Sequence, residues 1–280
     1  SHHTVDTSGD QIHYTALGEG AQVLFIHGFP DHWLTWWHQM QALGATHRVA
    51  AMDLRGFNLS AQPVEPSAYA IDKLIGDVVA VIDDLGMLTH HDVILDARVL
   101  DLFAGTGALG GFVAWHVAMQ RPDLVAQLGI VNIPHPWAVA RELAINPAQT
   151  EASAYARLFQ TPGAQTMIPR EQLSAWVSDP AFKIRHEAAM DRSNLDAMLN
   201  YYRVLFPSEP YGGYPTAPPM ITMPTLMIYG KNDPYLLADG LNGLWNYVSG
   251  DLTINTWADT GHFAQHEQPE RLTQRLVEWL

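Results

Sequence analysis

Between Asp96 and Gly111 the chain reads as an apolar run, then Gly105, Gly107, Gly110 and Gly111, then the amphipathic run from Phe112 to Gln120. The spacing predicts a strand over Arg98 to Phe103, a glycine turn, and a helix. In an open parallel sheet, the carboxyl end of a strand feeding a helix N-terminus is where ligands and nucleophiles sit. Two further residues could do chemistry. Asp233 closes a strand, and His262 lies in a Gly-His loop after the last strand. A carboxylate in that place can orient a histidine, which then serves as a general base.

These residues need a scaffold, and the chain is long enough for one. It has 280 residues, 48% of them hydrophobic and 16% charged, so a packed core is expected and disorder is not. The formal charge of −14 disfavours nucleic acid or an anionic membrane as partner, because either would need clustered Lys and Arg. With no cysteine, disulfides, thiolate metal sites and a cysteine nucleophile are excluded. No apolar run long enough to span a bilayer and no signal-like opening are read, so a soluble, cytoplasmic protein is expected. Ser1-His2-His3 is set aside from function, and the oligomeric state stays open.

Strands are expected at Gln11 to Ala16, Val23 to Ile26, Arg48 to Met52, Leu128 to Asn132, Thr225 to Tyr229 and Leu252 to Trp257. Helical spacing covers Trp33 to Leu43, Ile71 to Leu85 (with Gly86 as stop), Leu236 to Val248 and Pro269 to Leu280. Such alternation argues for a mostly parallel sheet flanked by helices. The pattern breaks at Ile133-Pro134-His135-Pro136. From there to about Met220 the chain is helical and rich in Tyr and Trp, ending in a proline- and glycine-rich linker. The expected division is an α/β core over 1–133 and 221–280, with a helical cap over 134–220 inserted between two strands.

Three separated motifs carry a family resemblance: His27-Gly28-Phe29-Pro30-Asp31-His32-Trp33, Asp53 to Ser60 (DLRGFNLS) and Thr260 to Glu270 (TGHFAQHEQPE). In this order they resemble an α/β-hydrolase, most closely of the epoxide hydrolase type, over nearly the whole chain outside residues 87–110. The resemblance implies the α/β-hydrolase fold and hydrolysis of a small-molecule epoxide to a diol. It makes His262 the base that activates water, and Asp233 its orienting acid. It gives the backbone N–H groups of Phe29 and Leu109 to the oxyanion hole. Tyr155 and Tyr202 match the paired tyrosines that hydrogen-bond the epoxide oxygen, with Tyr201 the weaker partner; a phenol can polarise that oxygen and protonate the alkoxide.

The nucleophile is where the sequence departs. The family typically carries an aspartate within Gly-His-Asp-Trp-Gly-Gly. Reading back from Gly110-Gly111, Ala108 takes the aspartate position, Leu109 the tryptophan position and Gly107 the histidine position. An alanine cannot attack an epoxide. Thr106 is two residues out of register, and Asp101 belongs to the strand.

The stretch from Met87 to Gly110 resembles instead the first strand and glycine loop of an S-adenosylmethionine-dependent methyltransferase, closest to the bacterial small-subunit rRNA guanine methyltransferases. There the loop matching Gly105, Gly107 and Gly110 wraps the cofactor. An acidic residue should then end the next strand, where only Asn132 stands, and no catalytic tetrapeptide or basic face accompanies it. The segment also exceeds a hydrolase elbow by about ten residues, around Leu88 to Ala97. A hydrolase scaffold with a grafted, methyltransferase-like element explains both. The expectations are therefore a crippled epoxide hydrolase needing no cofactor or metal, a binding protein for S-adenosylmethionine or a similar ligand, or, third, a working methyltransferase.

Overall fold

In the computed structural model, which describes residues 1–7, 9–87, 100–104 and 108–280, the strands form a single eight-stranded sheet. They are β1 (His2–Thr7), β2 (Asp10–Leu17), β3 (Ala21–Ile26), β4 (His47–Met52), β5 (Leu100–Ala104), β6 (Val125–Val131), β7 (Thr225–Gly230) and β8 (Leu252–Trp257). Their order is β1-β2-β4-β3-β5-β6-β7-β8. β1 and β2 run antiparallel at one edge, and every pairing from β4 to β8 is parallel.

The parallel centre follows from β3. Its residues Val23, Leu24, Phe25 and Ile26 are all fully buried, so both faces of the strand need cover. Because side chains alternate, Val23 and Phe25 join one core while Leu24 and Ile26 join the other. The first core takes Met40 and Leu43 from α1 (Trp37–Leu43). The second takes Val78 and Val81 from α2 (Ile71–Met87) and Val113 and Val117 from α3 (Ala108–Gln120). Five helices lie in the chain between β6 and β7: α4 (Pro136–Ile145), α5 (Pro147–Ala152), α6 (Ala154–Gln160), α7 (Pro180–Arg192) and α8 (Leu195–Leu205). After β8 come α9 (Ala264–Glu267) and α10 (Pro269–Trp279), whose Leu272 and Leu276 close the first core.

Several elements differ from expectation. The N-terminal segment is no appendage: β1 pairs with β2 residue for residue, and the Ser1 ammonium donates to the Ala16 carbonyl at 2.8 Å. A polar edge strand held by backbone bonds has no apolar periodicity to announce it. The helix expected over Leu236 to Val248 is two short 3₁₀ turns, Ala238–Leu241 and Leu244–Asn246. Gly243 breaks it at φ +72°, a left-handed conformation. Gly86 does not stop α2, which runs to Met87. Likewise Trp33 to Leu43 opens as a 3₁₀ turn before α1.

One buried ion pair ties the loop after β4 to α2. Arg55 reaches Asp77 twice, Nη2 to Oδ1 at 2.5 Å and Nε to Oδ2 at 2.6 Å, and donates to the Ala68 carbonyl at 2.8 Å. Burial pushes the Asp77 carboxyl up, against the pull of Arg55. Arg55→Ala leaves that carboxylate buried without its partner and is expected to cost about 3–5 kcal/mol, read as a lower urea midpoint.

Candidate active site

The Asp233 carboxylate lies in the turn just past β7 and is held on both oxygens. Its Oδ1 accepts from the backbone N–H of Tyr235 at 2.8 Å and of Leu236 at 3.1 Å. Its Oδ2 meets His262 Nδ1 at 2.7 Å and accepts from Asn132 Nδ2 at 3.1 Å. With Nδ1 committed to Asp233, Nε2 of His262 is the nitrogen left for a substrate or water. That is the geometry of an oriented base.

Two residues that the sequence reading did not place in the site hold this pair together. Asn132 directly follows β6 at φ +68°, and its amide bridges three segments. It donates to Asp233 and to the Gly261 carbonyl (2.7 Å), and accepts from Gly230 N at 2.8 Å. From the sequence, Asn132 stands only where a methyltransferase-like site would need an acidic ribose partner. Its contact with Asp233 depends on β6 and β7 being neighbours, which spacing cannot reveal. Glu267 clamps the His262 loop from either side, accepting from Gly261 N at 2.6 Å and Phe263 N at 3.0 Å.

On the opposite wall, His27 pins the turn after β3. Its Nε2 accepts from Leu54 N at 3.0 Å, which leaves Nδ1 to donate to the Gly28 carbonyl at 2.7 Å. Burial lowers the His27 pKa, so the ring stays neutral. Asp53, fully buried, receives Trp33 N at 3.0 Å and Asn58 Nδ2 at 2.8 Å, and pairs with His13 at 2.7 Å. Phe29 N–H makes no hydrogen bond among the described residues. Leu109 is the second residue of α3, where an N–H has no partner within the helix. Among the described residues, neither expected oxyanion donor has a backbone hydrogen-bond partner outside its own element.

Gly110 and Gly111 have packing reasons of their own. A Cβ on Gly110 would lie 2.2 Å from the His27 carbonyl oxygen, and one on Gly111 2.0 Å from Ile133 Cγ2. The helix approaches the end of β3 so closely that only glycine fits. Gly110 thus faces protein backbone, which accounts for it without any cofactor.

Tyr155 on α6 and Tyr202 on α8 meet edge-to-face with ring centroids 6.0 Å apart. Together with His262, Phe29, Trp176 and Phe263 they line one cavity of about 410 Å³. Neither hydroxyl bonds to another described residue, and burial raises both phenols above the ordinary tyrosine value. They stay protonated donors. Tyr201 is used otherwise: its hydroxyl donates to the Arg55 carbonyl at 3.0 Å and its ring packs on Tyr69. Tyr235 stands between Tyr155 and His262, with ring centroids 5.3 and 5.0 Å away. Only its position two residues after Asp233 hinted at this.

Ala108 is the first residue of α3. The expectations for Gly105, Thr106 and Gly107, and for the surplus over Leu88 to Ala97, lie outside the described residues. Asp101 is the second residue of β5, paired in register with Val23 and Gln127, three residues before the strand ends.

A Gly-His loop following the last strand, with β5 followed in the chain by α3 at the centre of a mostly parallel sheet, is the arrangement of a hydrolase of the α/β class. The chain belongs to the alpha/beta hydrolase family, whose model matches residues 23–275, and its scaffold is of the epoxide hydrolase type. It is 27% identical over 305 residues to human epoxide hydrolase 4, across 98% of this chain and 76% of that protein. It is 29% identical to the AB hydrolase superfamily protein YfhM of Bacillus subtilis, across 99% and 96% of the two chains. Among solved structures, an epoxide hydrolase from Bacillus megaterium in complex with an inhibitor superposes with a TM-score of 0.86 at 28% identity, covering 99% of each chain. Among the described residues, no helix is long and apolar enough to cross a membrane.

Proposed function

We propose that this chain carries an epoxide-opening site, capped by the helices of 134–220, whose turnover is crippled by the alanine at position 108. The observation that carries this reading is the cavity itself. His262, held by Asp233 at 2.7 Å, and the two unpaired phenols of Tyr155 and Tyr202 border the same space. The names of the similar proteins support the same chemistry.

In the complete reaction a carboxylate oxygen attacks one epoxide carbon and the C–O bond breaks. The resulting alkoxide takes its proton from Tyr155 or Tyr202. Water, deprotonated by His262, then attacks the ester carbonyl. The N–H groups of Phe29 and Leu109 receive the oxyanion; as it collapses, His262 gives its proton to the departing alkoxide and the carboxylic proton returns to the tyrosinate, so the diol leaves with the carboxylate restored. Ala108 has no lone pair to begin this sequence, while His262, Tyr155 and Tyr202 border the cavity in which the later steps would run. The cavity walls are mostly aromatic and aliphatic, Phe29, Phe159, Trp176 and Phe263 among them, so an aryl-bearing epoxide is the matching substrate. The purified chain should bind such an epoxide yet form diol several orders of magnitude more slowly than an intact enzyme of the family. Chromatography of the diol checks this, and turnover at an ordinary enzymatic rate would refute the crippled site.

The second reading rests on the resemblance of Met87 to Gly110 to a methyltransferase loop, read as a graft. β5 feeds α3 at the carboxyl edge of the sheet, where a parallel sheet can bind a ligand. On this reading S-adenosylmethionine binds without chemistry. Calorimetric titration of the cofactor tests it; no heat up to millimolar ligand disposes of it.

A further inference from the structure

Away from the His262 cavity, several imidazoles converge on one buried carboxylate. Asp31 is fully buried in the loop after β3, beside His32, which is 3% exposed, and His186 of α7, which is fully buried. One ligand atom from each lies within 4.8 Å of the others. Asp31 Oδ1 is 3.6 Å from His32 Nδ1 and 3.9 Å from His186 Nε2. Its Oδ2 is 3.3 Å from His266 Nε2. The first two distances are too long for hydrogen bonds and suit groups that share a small ion, while the third is a long hydrogen bond.

His32 Nδ1 is the decisive atom. It is buried and has no hydrogen-bond partner, an arrangement that costs free energy unless something fills it. We propose that Asp31, His32 and His186 form a binding site for one divalent transition-metal cation of the zinc class, linking α7 to the loop that follows Phe29. Two imidazole nitrogens and one carboxylate oxygen suit a borderline cation such as Zn²⁺, whereas Mg²⁺ and Ca²⁺ take oxygen ligands.

The protons balance without an added base. His186 Nε2 now donates to the Pro30 carbonyl at 2.7 Å, while Nδ1 meets Ser174 Oγ at 2.7 Å. A hydroxyl can accept as readily as it donates, so the neutral ring can carry its proton on Nδ1 and turn the Nε2 lone pair to the cation. The Pro30 carbonyl then stands beside the ion as a fourth donor and second oxygen. Burial lowers His186 to a pKa of about 4, which keeps the ring neutral and available. Burial alone would raise the Asp31 carboxyl, but the imidazoles around it, His266 first, hold it well below the usual carboxylate range. The ligand is thus already an anion. His266, which also meets Thr35 Oγ1 at 2.6 Å, would steady the second carboxylate oxygen from outside.

The test uses the full metal-free chain and Zn²⁺ alone, followed by calorimetry. His2, which meets His13 at 2.8 Å, and His3 form a competing histidine cluster at the N-terminus, so the protein titrated carries His2→Ala and His3→Ala. One Zn²⁺ per chain is expected, unaffected by a large excess of Mg²⁺, with a higher thermal midpoint in its presence. His32→Ala and His186→Gln should each weaken binding by at least about tenfold. His32→Ala is the safer variant, because its Nδ1 gives up no existing hydrogen bond, and its loss of binding is sufficient support. No uptake up to millimolar Zn²⁺, or uptake unchanged in His32→Ala, would overturn the proposal.

Discussion

Ala108→Asp is expected to raise kcat for an aryl epoxide by at least about 100-fold over the native chain, because nucleophile removal from an otherwise complete site costs up to about 10⁶-fold. α3 begins at residue 108, and Gly110 and Gly111 fix how closely its first turn meets His27 and Ile133. Position 108 therefore opens the same helix turn as Leu109, whose N–H is the expected oxyanion donor. Pairing Ala108→Asp with Gly107→His brings two elbow positions back to the family's usual residues. Steady-state diol formation measures the gain. A variant that folds, binds the epoxide and turns over no faster than the native chain would remove position 108 from the mechanism.

In that same background, His262→Gln should stop the reaction half-way. Attack on the epoxide needs the new carboxylate and the phenols of Tyr155 and Tyr202, whereas hydrolysis of the ester needs the base. The variant is expected to accumulate one substrate mass per chain, seen by intact-protein mass spectrometry, while kcat falls by about 10²–10⁴-fold. Glutamine keeps a polar group near Asp233 but cannot take a proton from water. Asp233→Asn should slow the same step while leaving the first intact, since Asp233 only orients His262 across 2.7 Å. Rapid release of diol without an accumulating adduct would place the base elsewhere.

Much of this was legible in the residues. The burial of Val23 to Ile26 was visible as an unbroken apolar run, and the helix before residue 87 as a periodic one. The order of the His27, Asp53 and His262 motifs pointed to the fold, because each motif carries the turn residues that its loop requires. The polar strand His2–Thr7 was not legible, since its stability lies in backbone pairing rather than in side-chain pattern. The helix expected from Leu236 failed for a nearby reason: apolar spacing continued through Gly240 and Gly243, but backbone conformation at the second of these ended it.

By itself the sequence determined which reactive groups exist: a histidine, an aspartate, a set of tyrosines, and an alanine at the position that the resemblance gives to the nucleophile. Covalent identity needs no neighbours, so that much is local information. Only the tertiary structure decided how those groups are divided. It separated Tyr202, open to the cavity, from Tyr201, spent on the Arg55 carbonyl. It made Asn132 the fastener of Asp233 and Gly261, and it gathered Asp31, His32 and His186 into one buried cluster. Those contacts join residues some 100 to 155 positions apart. They exist because β6 lies beside β7 and because α7 packs back onto the loop after β3, and neighbourhood across a sheet or between packed helices leaves no period in the chain.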